Sequence, residues 1–253
     1  MTTPLTLATY NVRYDTPKDD ARWSDRRDRV ISTLRDLAPH VVALQEPLEH
    51  QLADLADALP DHEFYGVGRE DGDSEGEYVP IGVDTRRLEV EDWDTYWLSE
   101  TPDEPGSTSW DAEYPRIATS VDVEDRETGD RFRVLAVHFD HQSAEAREQA
   151  AALVAERARD ADIPLIVAGD LNCGPDDAPV TEIRENGGLR DARRHAPDPD
   201  GPAETFHEWT GDAHERIDYI FLPDSADVLA YRTIDADAPY PSDHWPVVVD
   251  VAF

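Results

Sequence analysis

The chain has 253 residues and a formal net charge of −34, with 57 acidic residues against 23 basic ones, and Lys18 is its only lysine. A chain this acidic cannot hold nucleic acid through a general basic surface, and it is repelled by anionic membranes. Its single cysteine, Cys173, excludes an internal disulfide framework, and no apolar run approaches the length that spans a bilayer.

In chain order, short apolar runs alternate with amphipathic stretches. Leu5 to Val12 reads as a strand. Ser24 is placed to cap a helix through Leu37, with Val30, Ile31, Leu34 and Leu37 on one face. Val41 to Leu44 is a second strand, and Leu48, Leu52, Leu55 and Leu59 recur at helical spacing. Further strands are predicted at Val79 to Val83, Leu88 to Leu98, Ile117 to Val123 and Phe132 to Phe139. Ser143 then caps an alanine-rich helix to Asp160. The last strands are Pro164 to Ala168, Ile217 to Leu222, Val228 to Ile234 and Pro246 to Phe253. The stretches 69–77, 101–114 and 195–203 read as loops. About ten strands with three or four helices, and no shift of composition along the chain, predict one large α/β sandwich domain over residues 1–253.

Several of these strands end on a side chain able to bind a metal or a phosphate. Asn11 follows Leu5 to Tyr10, Glu46 follows Val41 to Gln45, and His138 follows Val134 to Val137. Asp170 and Asn172 follow Leu165 to Gly169, and Asp243 and His244 precede the final strand. Strand ends of packed sheets bring side chains distant in sequence to one rim. Singly, each has a plain structural explanation: a turn for Asn11, a helix start for Glu46, a core histidine for His138. Their order and shared strand context point to a single site.

The motifs Tyr10-Asn11-Val-Arg, Leu44-Gln45-Glu46, Val137-His138-Phe, Gly169-Asp170-Leu-Asn172, Arg216-Ile-Asp218-Tyr-Ile-Phe and Ser242-Asp243-His244 resemble those of the endonuclease/exonuclease/phosphatase superfamily, in that family's order. The fold this resemblance implies is a four-layer sandwich, two mixed β-sheets face to face with helices outside. It also implies hydrolysis of phosphoester bonds with Mg²⁺ or Mn²⁺, a hard dication that takes oxygen ligands. Glu46 would be its main ligand, with Asn11 beside it and Asp170, Asn172 and Asp243 completing the shell or a second site. By the same resemblance His244, supported by Asp218, is general base or transition-state stabiliser, and Asp170 orients the attacking water. Asn172 and His138 donate to phosphate oxygens, Glu77 is the carboxylate partner of His138, and Arg116 contacts phosphate. Trp110, Tyr114, Trp209 and Trp245 are candidates to line the substrate pocket, and His141 stands at its edge or in solvent.

The resemblance points first to a phosphodiesterase or nuclease, then to a phosphomonoesterase or lipid-headgroup diesterase, and last to a non-catalytic module of the same fold. Small prokaryotic members share Trp97-Leu-Ser-Glu-Thr-Pro102, Gly106-Ser-x-x-Trp110-Asp and Tyr240-Pro-Ser-Asp-His244. Dense carboxylate with one lysine suggests a haloarchaeal protein kept soluble in molar salt. Residues Met1 to Leu7 lack the charged and apolar segments of a secretory signal, so a cytoplasmic monomer is expected.

Overall fold

The computed structural model describes residues 4–253; Met1 to Thr3, on which part of the expectation about a leader rests, lie outside the described residues. Two six-stranded mixed sheets pack face to face. The first has the order β11-β12-β1-β2-β4-β3 and the second β5-β6-β7-β8-β10-β9. Their strands are β1 (Leu5–Asn11), β2 (Val41–Gln45), β3 (His62–Tyr65), β4 (Ile81–Asp84), β5 (Leu88–Trp97), β6 (Ile117–Asp125), β7 (Arg131–His138), β8 (Leu165–Asp170), β9 (Arg190–Asp191), β10 (Asp218–Leu222), β11 (Asp227–Thr233) and β12 (Val247–Ala252). Helices α1 (Trp23–Leu37) and α2 (Glu49–Ala58) accompany the first sheet. Helices α3 (Ala144–Asp160) and α4 (Ala178–Glu185) cover the second, and the short α5 (Ala192–His195) follows β9.

The expected architecture is present, and its apolar periodicity explains it. Central strands are buried on both faces, so β2 and β8 read as unbroken apolar runs. Leu5, Leu7, Val41, Ala43, Val134, Ala136, Ile166, Ala168, Val247 and Val249 fill the layer between the sheets. The alternate residues face the helices: Ala8, Tyr10, Val42 and Leu44 meet α1 and α2, while Leu135, Val137 and Val167 meet α3 and α4. Among the described residues no helix is long and apolar enough to cross a membrane.

Two strands and two helices escaped the sequence. β3 is half-exposed and carries His62 and Glu63, and β9 has two residues. α4 starts inside the turn-like Gly174-Pro-Asp-Asp-Ala-Pro179, with proline at its first turn, where no N–H is missed. Ser24 lies inside α1; the cap is Arg22, whose N–H donates to Asp25 (3.2 Å). Ser143 does cap α3, accepting from the Ala146 N–H at 3.1 Å.

β1 and β2 run parallel, as do β7 and β8, so these four strands finish at the same edge of the sandwich. β12 and β10 are antiparallel to them and begin there. The ends that carry polar residues in sequence are therefore neighbours in space.

Candidate active site

Close packing of β7 on β8 sets the middle of the site. Gly169 has φ +152°, and a Cβ there would lie 2.0 Å from the Val137 carbonyl oxygen, so only glycine fits. The register it permits pairs His138 with Asp170. Immediately beyond two strand ends, Glu46 (φ +73°) and Asn172 (φ +49°) adopt left-handed backbone, a strained conformation that is typical of functional positions.

Asn11, Glu46, His138, Asp170, Asp218, Asp243 and His244 are all buried at this rim. Asn11 Nδ2 donates to Glu46 Oε1 (3.0 Å) and to Asp170 Oδ2 (3.2 Å), tying the two sheets together. The Tyr14 N–H donates to Glu46 Oε2 (3.1 Å), and Ser242 Oγ donates to the Asn11 carbonyl (2.6 Å). His244 Nδ1 lies 2.9 Å from Asp218 Oδ2, and its Nε2 lies 3.9 Å from Asp170 Oδ2. Thr205 Oγ1 accepts from the Asp218 N–H (3.2 Å), which fixes that carboxylate's backbone. His138 Nε2 lies 3.7 Å from the same Asp170 oxygen, and its Nδ1 lies 4.0 Å from Glu77.

The two histidines differ in charge, His244 a cation and His138 neutral. Burial works against protonation of both. At His244, Asp218, aided by Asp170 and Asp243, overcomes it and raises the imidazole to about 10. At His138, burial is reinforced by the cations Arg116 and Arg69, and the ring is held well below its ordinary value. Burial together with Asp218 pushes the Asp170 carboxyl up to about 7. Burial, with Glu46 adding to it, takes Glu77 to about 7 against the pull of Arg69. Glu46 resists its burial because Arg13 and the Asn11 amide hold it low, and Asp243 is raised by burial and by Glu46.

Arg116 is 6% exposed and is no surface ion pair. Its Nη2 reaches His141 Nδ1 (2.7 Å), its Nη1 lies over the His138 ring (3.3 and 3.4 Å to the two nitrogens), and its Nε faces Asp140 (3.4 Å). His141, exposed and expected to be solvated or at the edge, is thus part of the site's wall. Asn172 lines the cavity, but one amide N–H is already committed to the Phe139 carbonyl (3.0 Å). Tyr114 and Trp209 line the cavity too, whereas Trp245 is buried beneath it, stacked on His207 (centroids 3.8 Å), and Trp110 lies off it.

Three contributors were missed. Arg13 lies 3.8 Å from both Glu46 and Asp243, and the Tyr10-Asn11-Val-Arg motif held it in view. Arg69 bonds Glu77 at 2.7 Å from within an acidic loop, where nothing local marks it. Phe206 packs on the His244 ring (4.9 Å), reached only through the fold. These three, with Glu46, Arg116, His138, Asp170, Asp243 and His244, line one concave cavity of about 920 Å³.

The donor set suits a hard dication. Three buried carboxyls, Glu46, Asp243 and Asp170, and half-buried Glu77 crowd into one corner, three of the four with raised proton affinity, and Arg13 is the cation beside Glu46 and Asp243. Asp170, Asp218 and His244 also bring one ligand atom each within 4.8 Å of one another. In that trio, however, the imidazole is held protonated and paired with Asp218, and an imidazole must give up that proton to bind a metal. The oxygen group of Asn11, Glu46 and Asp243 is the better fit.

The sequence profile of the endonuclease/exonuclease/phosphatase family matches residues 8–244, and the chain belongs to that family. It is similar throughout to an endonuclease/exonuclease/phosphatase from Bacteroides vulgatus, with 35% identity over 100% of both chains and a TM-score of 0.94. A mannosyl-6-phosphatase from Bacteroides thetaiotaomicron is 31% identical over 98% of this chain and 100% of its own, with a TM-score of 0.91. The catalytic domain of human nocturnin, 18% identical over 99% and 94% of the two chains, shares the fold at a TM-score of 0.78. No curated protein matches the chain. Both of the more similar structures are bacterial, and none of these relatives supports a haloarchaeal source.

Proposed function

We propose that the chain, acting as one domain, is a divalent-metal-dependent hydrolase of a small phosphate ester, a phosphomonoesterase before a nuclease. The observation that carries this reading is the convergence of the Asp218–His244 pair, Asp170, the Asn11–Glu46–Asp243 oxygens and the Arg116–His138 wall on one cavity. The choice of a small ester over nucleic acid rests on the exposed carboxylates of the cavity lining, Glu113, Glu208 and Glu215, which would repel a polyanionic backbone. The similar mannosyl-6-phosphatase makes a sugar phosphate a natural candidate.

Asn11, Glu46 and Asp243 would hold Mg²⁺ or Mn²⁺, which when bound offsets charge on the phosphoryl oxygens. Arg116 and neutral His138 grip the phosphate, the guanidinium by charge and the ring by its N–H. Asp170, with its carboxyl near neutrality, takes the proton of the attacking water. His244 is already protonated, so it acts as a fixed cation that stabilises the transition state rather than as the base, and Asp218 keeps it charged and oriented. Asn172 and Glu77 hold the loop and the His138 wall around them.

The test is a panel of monoesters, diesters, DNA and RNA with Mg²⁺ or Mn²⁺. Metal-dependent turnover of monoesters above the other classes is expected. Turnover of nucleic acid above every monoester would return the reading to a nuclease, and no turnover of any ester would remove it.

A further inference from the structure

One part of the cavity lies outside the metal- and phosphate-binding roles above. Thr205 and Phe206 pair with His214 and Glu215 in a small hairpin whose tip spans residues 207–214. The tip is built to stay in place. The His207 N–H donates to the Asp243 carbonyl (2.9 Å), the His207 ring stacks on buried Trp245, and Tyr240 Oη donates to the Thr210 carbonyl (3.2 Å). Glu208 (φ +46°) and Trp209 (φ +64°) are both left-handed, a conformation non-glycine residues hold only when the surroundings impose it.

That strain places the Trp209 indole, half-buried, on the cavity wall. Arg26 lies 5.8 Å from its ring centroid, and Arg26 is itself 1% exposed and bonded to the Val12, Arg13, Tyr14 and Pro241 carbonyls. The indole thus rests on a fixed cation, a cation–π contact that stiffens it. Beside it, Glu208 and Glu215 line the same cavity, and neither makes an ion pair among the described residues. A rigid aromatic plate flanked by free carboxylates suits a polyol. The C–H face of a pyranose buries on the ring, and its hydroxyls donate charge-assisted hydrogen bonds to the carboxylates. A second phosphate would be repelled.

Building on the phosphomonoesterase reading, we propose that Trp209, Glu208 and Glu215 form the subsite for the group that carries the phosphate, and that this group is a sugar ring. Trp209 is then a specificity residue and the phosphate end of the cavity is independent of it.

The experiment compares wild type with Trp209→Ala, Trp209→Phe and Glu208→Gln. It measures calorimetric binding of hexose 6-phosphates and of adenosine 5′-monophosphate, and kcat and KM for those ligands and for ethyl phosphate, which has no ring. Trp209→Ala should weaken hexose phosphate binding and raise its KM about 10-fold, the size of one aromatic contact. Ethyl phosphate turnover should stay within about 2-fold, and Trp209→Phe should restore most of the loss. Glu208→Gln should weaken the hexose phosphate less, with an unchanged melting temperature. Equal losses on hexose phosphate and ethyl phosphate would overturn the subsite in favour of a structural role. Unchanged hexose phosphate binding in Trp209→Ala would overturn it outright, and a loss confined to adenosine monophosphate would overturn the sugar assignment. Binding is read without turnover, so an inactive wild type that still loses hexose phosphate affinity in Trp209→Ala would fault the phosphatase reading and leave the subsite standing.

Discussion

His244 and His138 stand about the same carboxylate, 3.9 and 3.7 Å from Asp170 Oδ2, and both are buried, yet their surroundings drive them apart. His244 bonds Asp218 and faces Asp170 and Asp243, so it is protonated to about pH 10. His138 is walled by Arg116 and Arg69 and is neutral. Burial alone would neutralise both; the sign of the neighbouring charges decides. One rim therefore holds a fixed cation and a neutral donor made from the same residue type, with a carboxyl tuned near neutrality between them.

The sharpest way to break this contrast is to remove the charged member. His244→Ala should lower kcat by about 10³-fold or more, and Asp218→Asn, which spares the ring but not its charge, by about 10²–10³-fold. Steady-state rates at saturating metal check both; a near-normal kcat in His244→Ala would contradict the assignment. Removing the neutral member should cost less: His138→Ala should lose about 10²-fold, partly in KM, because Arg116 still holds the phosphate.

pH probes the pair together. As Asp170 ionises, kcat/KM should climb about 10-fold per pH unit below about 7 and fall again as His244 loses its proton near about 10. A rate that declines steadily above pH 7 would contradict the assigned charges.

The smallest expected effect is on stability. The raised Asp170 carboxyl favours the fold fully below its unfolded value, and that contribution is lost as pH rises through about 7. Without metal, Asp170→Asn should therefore melt about 2–4 °C above wild type at pH 8, with the gap narrowing by pH 5. Differential scanning at the two pH values reads it.

The same contrast shows what the sequence could and could not disclose. Asn11, Glu46, His138, Asp170 and His244 were legible because each ends or precedes an apolar run buried on both faces, a strong local signal. β3 was not, since His62-Glu63-Phe64-Tyr65 is half-exposed and lacks alternation. The charge states were not legible either. They depend on Arg69, which enters from an acidic loop, and on the Arg116–His141 contact, neither of which any spacing encodes. Phe206 reaches the cavity only through a hairpin of isolated bridges, too short to leave a periodic pattern, whereas Trp209 at its tip was legible only as an aromatic candidate for the pocket.

The most direct test is a nitrogen NMR titration of the imidazole rings of the metal-free protein, with His244→Gln and His138→Gln assigning the two signals among the nine histidines. His244 should stay protonated until about pH 10, and His138 should stay neutral down to well below the ordinary histidine range. Two rings titrating together near the ordinary value of about 6.5 would contradict it.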